Sequence, residues 1–323
     1  MNLSTPVTDY GKTFLIQPAD KILSLGSCFA NVVGQRLHDF RMPTLLNPVG
    51  TLYNPKSILS LLDLALDYME FPQKAKDLVC GSLFRNSDGI WHSWLAASQI
   101  SGQNREECLA NINQAVRELA DFLNQADVLM ITFGTDHYYS LNNGNHIPDC
   151  VANCHKMPSS VFREKIMSVS DIVNMFSETY SRIKTLRPEL KGILTVSPYR
   201  YLKYGLHQNQ LSKACLLLAV DECTNRHNDI YYFPAYEILN DELRDYRYYA
   251  PDMAHPSEVA EEYVWEMFCR HYIDTRLLSF FKEWSTVLKM QAHHPSSTSA
   301  TEELKANIEA RIKSIQEKFP QMF

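Results

Sequence analysis

Residues 21–30 have the sequence Lys-Ile-Leu-Ser-Leu-Gly-Ser-Cys-Phe-Ala, in which an apolar run stops abruptly at a glycine and a serine. The pattern predicts a buried strand over residues 22–25 and a helix over residues 30–40. Ser27 is therefore expected at a strand-to-helix turn, where Gly26 permits a sharp change of direction and Ser27 caps the helix. The positive end of a helix dipole favours developing negative charge, so a hydroxyl at this turn is well placed to act as a nucleophile.

A second short motif lies far down the chain, where residues 252–256 have the sequence Asp-Met-Ala-His-Pro. A serine hydroxyl is a weak nucleophile until an imidazole removes its proton, and a carboxylate orients that imidazole. Asp252 and His255, three residues apart, can supply both groups from one loop. Taken alone, Ser27 is equally compatible with a simple helix cap, and His255 with a surface residue before a helix; their occurrence together favours a catalytic set.

The composition is that of an ordinary globular protein. The chain has 323 residues, of which 45% are hydrophobic and 21% charged, and its formal net charge is −6. This length suits one large domain, or a domain with an appendage. Because there is no basic cluster interleaved with aromatic residues, nucleic acid is not an expected partner.

The sequence predicts a soluble protein of the cytoplasm. The N-terminus lacks the basic start and the apolar stretch of a secretory signal, and no apolar run reaches the length of a membrane span, so no membrane partner is expected. The eight cysteines follow no framework spacing, which favours free thiols in a reducing compartment over disulfides.

Apolar runs alternate with amphipathic stretches along most of the chain. This order predicts an α/β fold with a parallel sheet covered on both faces, in which ligands bind beyond the carboxyl ends of the strands. Polar residues that follow the strands should therefore converge on one rim. The predicted strands are residues 22–25, 128–133, 193–196 and 230–233, and the predicted helices are residues 57–68, 106–123, 171–186, 209–226 and 257–272.

Two segments depart from this alternation. Residues 71–102 contain glycines and an aromatic cluster, which predicts an inserted hairpin that roofs the site. Residues 293–299 are predicted to be a loop before a helix that packs against the domain or against a second subunit, so a homo-oligomer formed through this helix is one interpretation. We accordingly divide the chain into a domain over residues 1–275 and a helical extension over residues 276–323. The apolar stripe of the last helix comprises Leu304, Ile308, Ile312, Ile315 and Phe319.

The chain resembles the GSCFA domain family, whose name is the pentapeptide at residues 26–30. The resemblance extends from about residue 20 to about residue 272 and leaves out the C-terminal tail. Many ordered blocks carry it, which makes chance agreement improbable. These blocks are residues 47–55 (NPVGTLYNP), 132–135 (TFGT), 153–156 (NCHK), 196–198 (VSP), 212–214 (SKA), 232–237 (YFPAYE), 241–250 (DELRDYRYYA) and 252–256 (DMAHP).

This resemblance implies a flavodoxin-like three-layer α/β/α fold of the SGNH/GDSL hydrolase type and an esterase site. Ser27 then corresponds to the nucleophile, His255 to the general base and Asp252 to the carboxylate that orients it. The implied substrate is a small-molecule or carbohydrate ester, such as an O-acetyl group, and no cofactor is implied. Two alternatives stay open: an O-acyltransferase with the same site, and an inactive binding or scaffold protein that keeps the fold.

In the hydrolase superfamily the oxyanion hole consists of the N–H of the nucleophile, a glycine N–H and an asparagine side chain. Ser27 and Gly50 correspond to the first two, whereas the asparagine has no literal match. Asp136 stands in its place, but a carboxylate repels a developing oxyanion. Asn153 is the better donor if its loop folds back to the rim.

Other departures from the family pattern favour the scaffold alternative. Relatives carry a histidine and an aspartate where this chain has Tyr201 and Tyr204, and a histidine near Ala97. We assign substrate binding to the residues that follow the strands or line the expected rim: Gly134, Thr135, Asp136, His155 and Arg200.

Several residues have a second interpretation. Cys28, next to the serine, is expected to be a small packed residue, because its side chain points about a hundred degrees away from that of Ser27 along the helix. Cys150, Cys154 and His155 have a spacing that suits a metal, but no fourth ligand is evident, so we expect no metal. The three arginines could bind an anionic substrate or form internal ion pairs, and the ion pairs are favoured: Arg200, Arg244 and Arg247.

Overall fold

The computed structural model describes residues 4–8, 10–142, 148–293 and 298–323. Its strands, in chain order, are β1 (Ile22–Gly26), β2 (Thr44–Leu46), β3 (Leu83–Arg85), β4 (Trp91–Ser93), β5 (Ser101–Gly102), β6 (Val128–Phe133), β7 (His137–Leu141), β8 (Phe162–Ile166), β9 (Lys191–Val196) and β10 (Ile230–Tyr232). The helices are α1 (Cys28–Asp39), α2 (Pro55–Glu70), α3 (Pro72–Gly81), α4 (Arg105–Leu123), α5 (Val169–Leu186), α6 (Gly205–Arg226), α7 (Ala235–Glu237), α8 (Glu258–Tyr272), α9 (Thr275–Gln291) and α10 (Thr298–Lys318).

The central sheet has five parallel strands in the order β10-β9-β6-β1-β2. Side chains of β6 alternate between two cores, since Leu129 and Ile131 lie in one apolar cluster and Val128 and Met130 in the other. The first cluster includes residues of α2, α4, α5 and α6, and the second includes residues of α1, α8, α9 and α10. The sheet is thus buried on both faces, which confirms the predicted α/β class.

The segment predicted as an inserted hairpin contains more structure than one hairpin. Helix α3 contributes Ala75 and Val79 to the first core, and β3, β4 and β5 form a small antiparallel sheet. The end of this segment contacts the loop after β2, because the N–H of Ala97 donates to the carbonyl of Val49 at 2.8 Å. A second antiparallel pair, β7 with β8, follows β6 and was not predicted.

The C-terminal region forms two helices, α9 and α10, that pack against each other and on the second core. Ile315 is fully buried there, and Ile308, Ile312 and Phe319 of the predicted stripe pack beside it. Most of the loop predicted over residues 293–299 lies outside the described residues, and α10 has already begun at Thr298. Within the described parts of the chain, no helix combines the length and the apolar character that crossing a membrane needs.

Candidate active site

The turn that carries Ser27 depends on Gly26, the last residue of β1. Gly26 has φ +139°, and a Cβ at this position would lie 2.3 Å from the carbonyl oxygen of Thr132, so only glycine fits. The side chain of Asn47 accepts a hydrogen bond from the Gly26 N–H at 2.9 Å. Neighbouring strand β6 and the loop after β2 therefore fix the backbone that presents Ser27.

Ser27 occupies the N-cap position of α1, but its side chain makes no capping hydrogen bond. The N-cap position is thus as predicted, but the capping hydrogen bond is not formed. Ser27 is 1% exposed, and its hydroxyl has no hydrogen-bond partner among the described residues. A buried hydroxyl without a hydrogen bond lowers the stability of a protein. Such groups occur mainly at functional sites, which makes Ser27 a candidate catalytic residue.

Asp252 and His255 form a close pair in the loop before α8. Asp252 Oδ2 and His255 Nδ1 are 2.5 Å apart, and the other carboxylate oxygen accepts the N–H groups of Ala254 and His255, each at 2.9 Å. These hydrogen bonds lower the pKa of Asp252 to about 2, the backbone N–H of His255 being the largest cause. The carboxylate is therefore ionised near neutral pH and holds the imidazole with Nε2 free to face a partner.

Ser27 and the Asp252–His255 pair lie at the same end of the sheet, but no hydrogen bond joins them. The N–H of Arg200, after β9, donates to the carbonyl of Ala254 at 3.0 Å and so ties the His255 loop to the carboxyl end of the sheet. No hydrogen bond joins the Ser27 hydroxyl to His255. Instead, the ring of Tyr199 contacts that of His255, with centroids 4.4 Å apart.

A cluster of tyrosine side chains extends from His255 towards Ser27. The ring of Tyr201 meets those of Tyr199 and Tyr53 edge-on, at centroid distances of 4.8 and 6.2 Å. The hydroxyl of Tyr201 is buried and has no hydrogen-bond partner among the described residues. Burial raises its pKa well above 10, so the phenol keeps its proton. Ser27 itself is buried, so a substrate can reach its hydroxyl only when neighbouring side chains move.

Both backbone donors predicted for the oxyanion hole are already used. The N–H of Ser27 donates to the carbonyl of Thr132 at 3.1 Å, and the N–H of Gly50 donates to that of Asn47 at 2.7 Å. The predicted hole is thus not formed in this structure, because strand and turn geometry takes up these donors. The third candidate, Asn153, uses its side-chain oxygen to accept the N–H of His155 at 2.7 Å.

Among the residues assigned to substrate binding, Gly134 is placed beside the nucleophile. A Cβ built on Gly134 would lie 3.2 Å from Ser27 Cβ and 3.4 Å from the Tyr201 hydroxyl. The N–H groups of Gly134 and Thr135 both donate to the carbonyl of Tyr53, at 2.8 and 3.0 Å. The hydroxyl of Thr135 faces helix α6, where it meets Ser212 at 3.3 Å.

Asp136 follows Gly134 and Thr135 and is buried. Its backbone N–H donates to the Ser212 hydroxyl at 3.1 Å, and one of its carboxylate oxygens has no hydrogen-bond partner among the described residues. His137 Nε2 lies 3.7 Å from that oxygen. The carboxylate thus belongs to a polar layer between β6 and α6.

His155 belongs to a different group of residues, next to the small antiparallel sheet. Its ring nitrogens lie 3.1 Å from the Ser98 hydroxyl and 3.0 Å from the carbonyl of Ser93, and its ring is tilted against that of His92, with centroids 4.8 Å apart. Since the carbonyl can only accept, Nε2 carries the proton and Nδ1 accepts from Ser98. Burial lowers the pKa of His155 to about 4. This group lines a cavity of about 680 Å³ whose lining residues do not include Ser27.

The arginines near the His255 loop have mainly structural contacts. Arg200 Nη1 donates to the carbonyl of Met253 at 3.2 Å, and its guanidinium lies 5.1 Å from the ring centroid of Tyr249. Arg247 pairs with Asp245 at 2.9 Å. Arg244 pairs with Asp241 at 3.9 Å, whereas Arg200 makes no ion pair within the described residues and contacts the loop that carries Asp252 and His255 through the Met253 carbonyl.

Lys213 is a residue that sequence reasoning did not single out. It is 1% exposed, and its ammonium group donates to the carbonyls of Gly134 and Ser197, at 2.6 and 2.7 Å. Burial lowers its pKa to about 7, against an opposing effect of Asp136. A signal was present, because Lys213 falls on the buried face of α6 between Asn209 and Leu216.

The cysteines are all free thiols in this structure. Cys28 Sγ lies 3.6 Å from the hydroxyl of Tyr53. Within the described ranges, no group of three or more histidine, cysteine or acidic side chains is arranged to hold a metal ion, Cys150, Cys154 and His155 included.

Comparisons with known proteins give a family match and a weak structural match. The model of the GSCFA family matches residues 21–268. No curated protein matches the sequence. Among solved structures, the Clostridium thermocellum family 3 carbohydrate esterase matches with 14% identity and a TM-score of 0.27, over 54% of this chain and 64% of that protein. The family match covers more than half of the chain and includes Ser27, Asp252 and His255: this protein belongs to the GSCFA family.

Proposed function

We propose that this protein is a serine esterase that cleaves an O-acyl ester through an acyl-serine intermediate. The observation that supports it most is the buried, unpaired hydroxyl of Ser27 at the N-terminus of α1, at the sheet edge that also carries the Asp252–His255 pair. A hydroxyl without a structural partner is available for chemistry, and the pair supplies an oriented base.

In the first half of the reaction, His255 Nε2 takes the proton of the Ser27 hydroxyl while Oγ forms a bond to the acyl carbon. The carbonyl π electrons move to oxygen and give a tetrahedral oxyanion. When that oxyanion collapses, the bond from carbon to the alcohol oxygen breaks, and the imidazolium returns its proton to the departing alkoxide. Asp252 stays ionised and stabilises the imidazolium.

In the second half, water replaces the alcohol. His255 removes a proton from water, the hydroxide oxygen bonds to the acyl carbon, and collapse releases the carboxylic acid and restores the Ser27 hydroxyl. A sugar hydroxyl in place of water would make the same site an acyltransferase. Measuring acyl transfer to added alcohols alongside acid release separates these two outcomes.

The closed position of Ser27 sets a requirement for this reaction. Ser27 is 1% exposed, whereas the side chain of His255 is 45% exposed. The ring of Tyr199 contacts both His255 and Tyr201, so rotation of this half-buried side chain opens the path between base and nucleophile.

Labelling with a fluorophosphonate probe tests the proposal, because the probe bonds to activated serine hydroxyls. We expect the wild type to be labelled, Ser27→Ala not to be labelled, and the matched control Cys28→Ala to be labelled like the wild type. Acetate release from acetylated xylan then tests the carbohydrate substrate. Absence of labelling in the wild type would instead support the scaffold alternative.

A further inference from the structure

We propose that Tyr201 is a catalytic residue whose phenolic hydroxyl donates a hydrogen bond to the oxyanion. This inference rests on the proposed function, because it needs a tetrahedral intermediate on Ser27. It assigns a donor that the family pattern of glycine and asparagine does not supply.

The hydroxyls of Ser27 and Tyr201 lie near each other, on either side of Gly134. The hydroxyls of Ser27 and Tyr201 are both buried and both lack a hydrogen-bond partner among the described residues. They flank the Cα of Gly134: a Cβ there would lie 3.2 Å from Ser27 Cβ and 3.4 Å from the Tyr201 hydroxyl. A Cβ would also lie 2.9 Å from the carbonyl oxygen of Tyr53, so this position has no room for a side chain, and Ser27 and the Tyr201 hydroxyl both lie close to the Cα of Gly134. A carbonyl that reaches Ser27 therefore comes close to the Tyr201 hydroxyl, which can donate to it.

The backbone N–H groups that could bind an oxyanion in place of Tyr201 already donate to carbonyls. The N–H groups of Ser27 and Gly50 are bonded to carbonyls of Thr132 and Asn47. The N–H of Gly134 itself donates to the carbonyl of Tyr53. Each of these groups must first break a hydrogen bond to bind an oxyanion, whereas the hydroxyl of Tyr201 has no such bond to any residue that the structure describes.

The phenol of Tyr201 is protonated near neutral pH, because burial raises its pKa well above 10, and its hydroxyl can therefore donate a hydrogen bond. The backbone of Tyr201 is fixed by a hydrogen bond from its N–H to Asn209 Oδ1 at 2.8 Å, and the ring of Tyr53 meets its ring edge-on. A donor held in place and unpaired in the ground state interacts only with the transition state, so it raises kcat and leaves KM unchanged.

The test compares Tyr201→Phe with Tyr10→Phe in hydrolysis of p-nitrophenyl acetate. Tyr10 is the matched control, because its hydroxyl is also buried and has no hydrogen-bond partner among the described residues, but its ring belongs to the second core and stacks on His271. We expect Tyr201→Phe to lower kcat by about 10²- to 10³-fold with KM changed less than about twofold. The rate of fluorophosphonate labelling should fall in parallel, and Tyr10→Phe should match the wild type in both.

Thermal unfolding separates catalysis from structure. Because each substitution removes an unpaired buried hydroxyl, both variants should melt at or above the temperature of the wild type. A Tyr201→Phe variant that keeps wild-type kcat, or that melts well below Tyr10→Phe, overturns the inference. If the wild type shows no turnover or labelling that depends on Ser27, the proposed function fails and the inference fails with it; turnover that is lost in Ser27→Ala but kept in Tyr201→Phe refutes only the inference.

Discussion

The hydroxyl of Ser27 is buried and makes no structural hydrogen bond to the residues that the structure describes. It caps no helix N–H and has no hydrogen-bond partner among the described residues, although it is buried. Proteins retain such groups where activity requires them, which makes the stability of a Ser27 variant informative.

We therefore predict that Ser27→Ala is at least as stable as the wild type and gains about 1 kcal/mol in free energy of unfolding. Urea unfolding followed by circular dichroism measures this difference. Ser82→Ala is the matched control, because Ser82 is equally buried but its hydroxyl donates to the carbonyl of Val79 at 2.7 Å, so its loss should destabilise. A clear loss of stability in Ser27→Ala would show that the hydroxyl has a structural role instead.

Asp252 is expected to fix the tautomer of His255. In Asp252→Asn, the amide oxygen can still accept the two backbone N–H groups, and the amide nitrogen then faces Nδ1 and forces the proton onto Nε2. The imidazole can then no longer take a proton from Ser27, so kcat for p-nitrophenyl acetate should fall roughly 10³- to 10⁴-fold. Asp245→Asn, an exposed carboxylate paired with Arg247, is the control and should keep full activity; equal activity of the two variants would contradict the assigned role.

The residue types that carry chemistry could be predicted from the sequence, but their surroundings could not. Ser27, Asp252 and His255 lie in short motifs whose chemistry is local, and their catalytic roles stay predictions until they are tested. Tyr201 and Lys213 take their importance from contacts with residues distant in the chain, such as Gly134. Whether a backbone N–H is free also depends on tertiary contacts, so the sequence could not show that the N–H groups of Ser27 and Gly50 donate to carbonyls in this structure.

At the scale of elements, α6 joins the ends of two strands through Lys213. Its ammonium group donates to the carbonyl of Gly134, just after β6, and to that of Ser197, just after β9. These contacts hold the two loops that border Ser27 and Tyr201 in a fixed relation. The folded protein nevertheless binds the lysine proton weakly, because burial lowers the pKa from 10.5 to about 7.

This lowered pKa predicts a dependence of stability on pH. Between about pH 7 and 10.5 the unfolded chain keeps the Lys213 proton and the folded chain does not, so raising the pH favours the folded state by about 1.4 kcal/mol per unit. Below about pH 7 both states are protonated and this contribution no longer changes. The difference in free energy of unfolding between the wild type and Lys213→Met should thus rise with pH in that window. A difference that is constant with pH would contradict the buried, weakly basic lysine.

The strands of the central sheet were predictable because parallel strands buried on both faces form continuous apolar runs. β6 has the predicted bounds, and β1 and β9 differ from prediction by one or two residues. β2 is three residues long and half-buried, and the β7–β8 pair mixes polar with apolar residues, so neither gives a periodic signal. Short elements of this kind are defined by their partners in the fold.

In the whole molecule, the C-terminal helices share a core with the family domain. Ile315 of α10 is fully buried, and the ring of Phe280 in α9 lies 5.5 Å from that of Phe319. The apolar stripe that could have met a second subunit is thus partly used within the chain. A homo-oligomer through this helix and a boundary after residue 275 both stay predictions, which light scattering and truncation can test.

We predict that Ile315→Ala lowers the free energy of unfolding by about 2–4 kcal/mol, because it leaves a cavity in a packed core. Gln316→Ala, an exposed neighbour on the same helix, should change it by less than about 0.5 kcal/mol. Urea unfolding measures both variants. A small effect of Ile315→Ala would show that α10 is an independent appendage that adds little to the domain.

The central step of the proposed reaction is the transfer of an acyl group to Ser27 during turnover. The most direct measurement is mass spectrometry of peptides from enzyme that is quenched with acid while it hydrolyses p-nitrophenyl acetate. We predict one acetyl group on the peptide that contains Ser27, and none on that peptide from Ser27→Ala. An acetyl group found on Cys28 or Ser98 instead, or turnover with no acetylated peptide, would contradict the account.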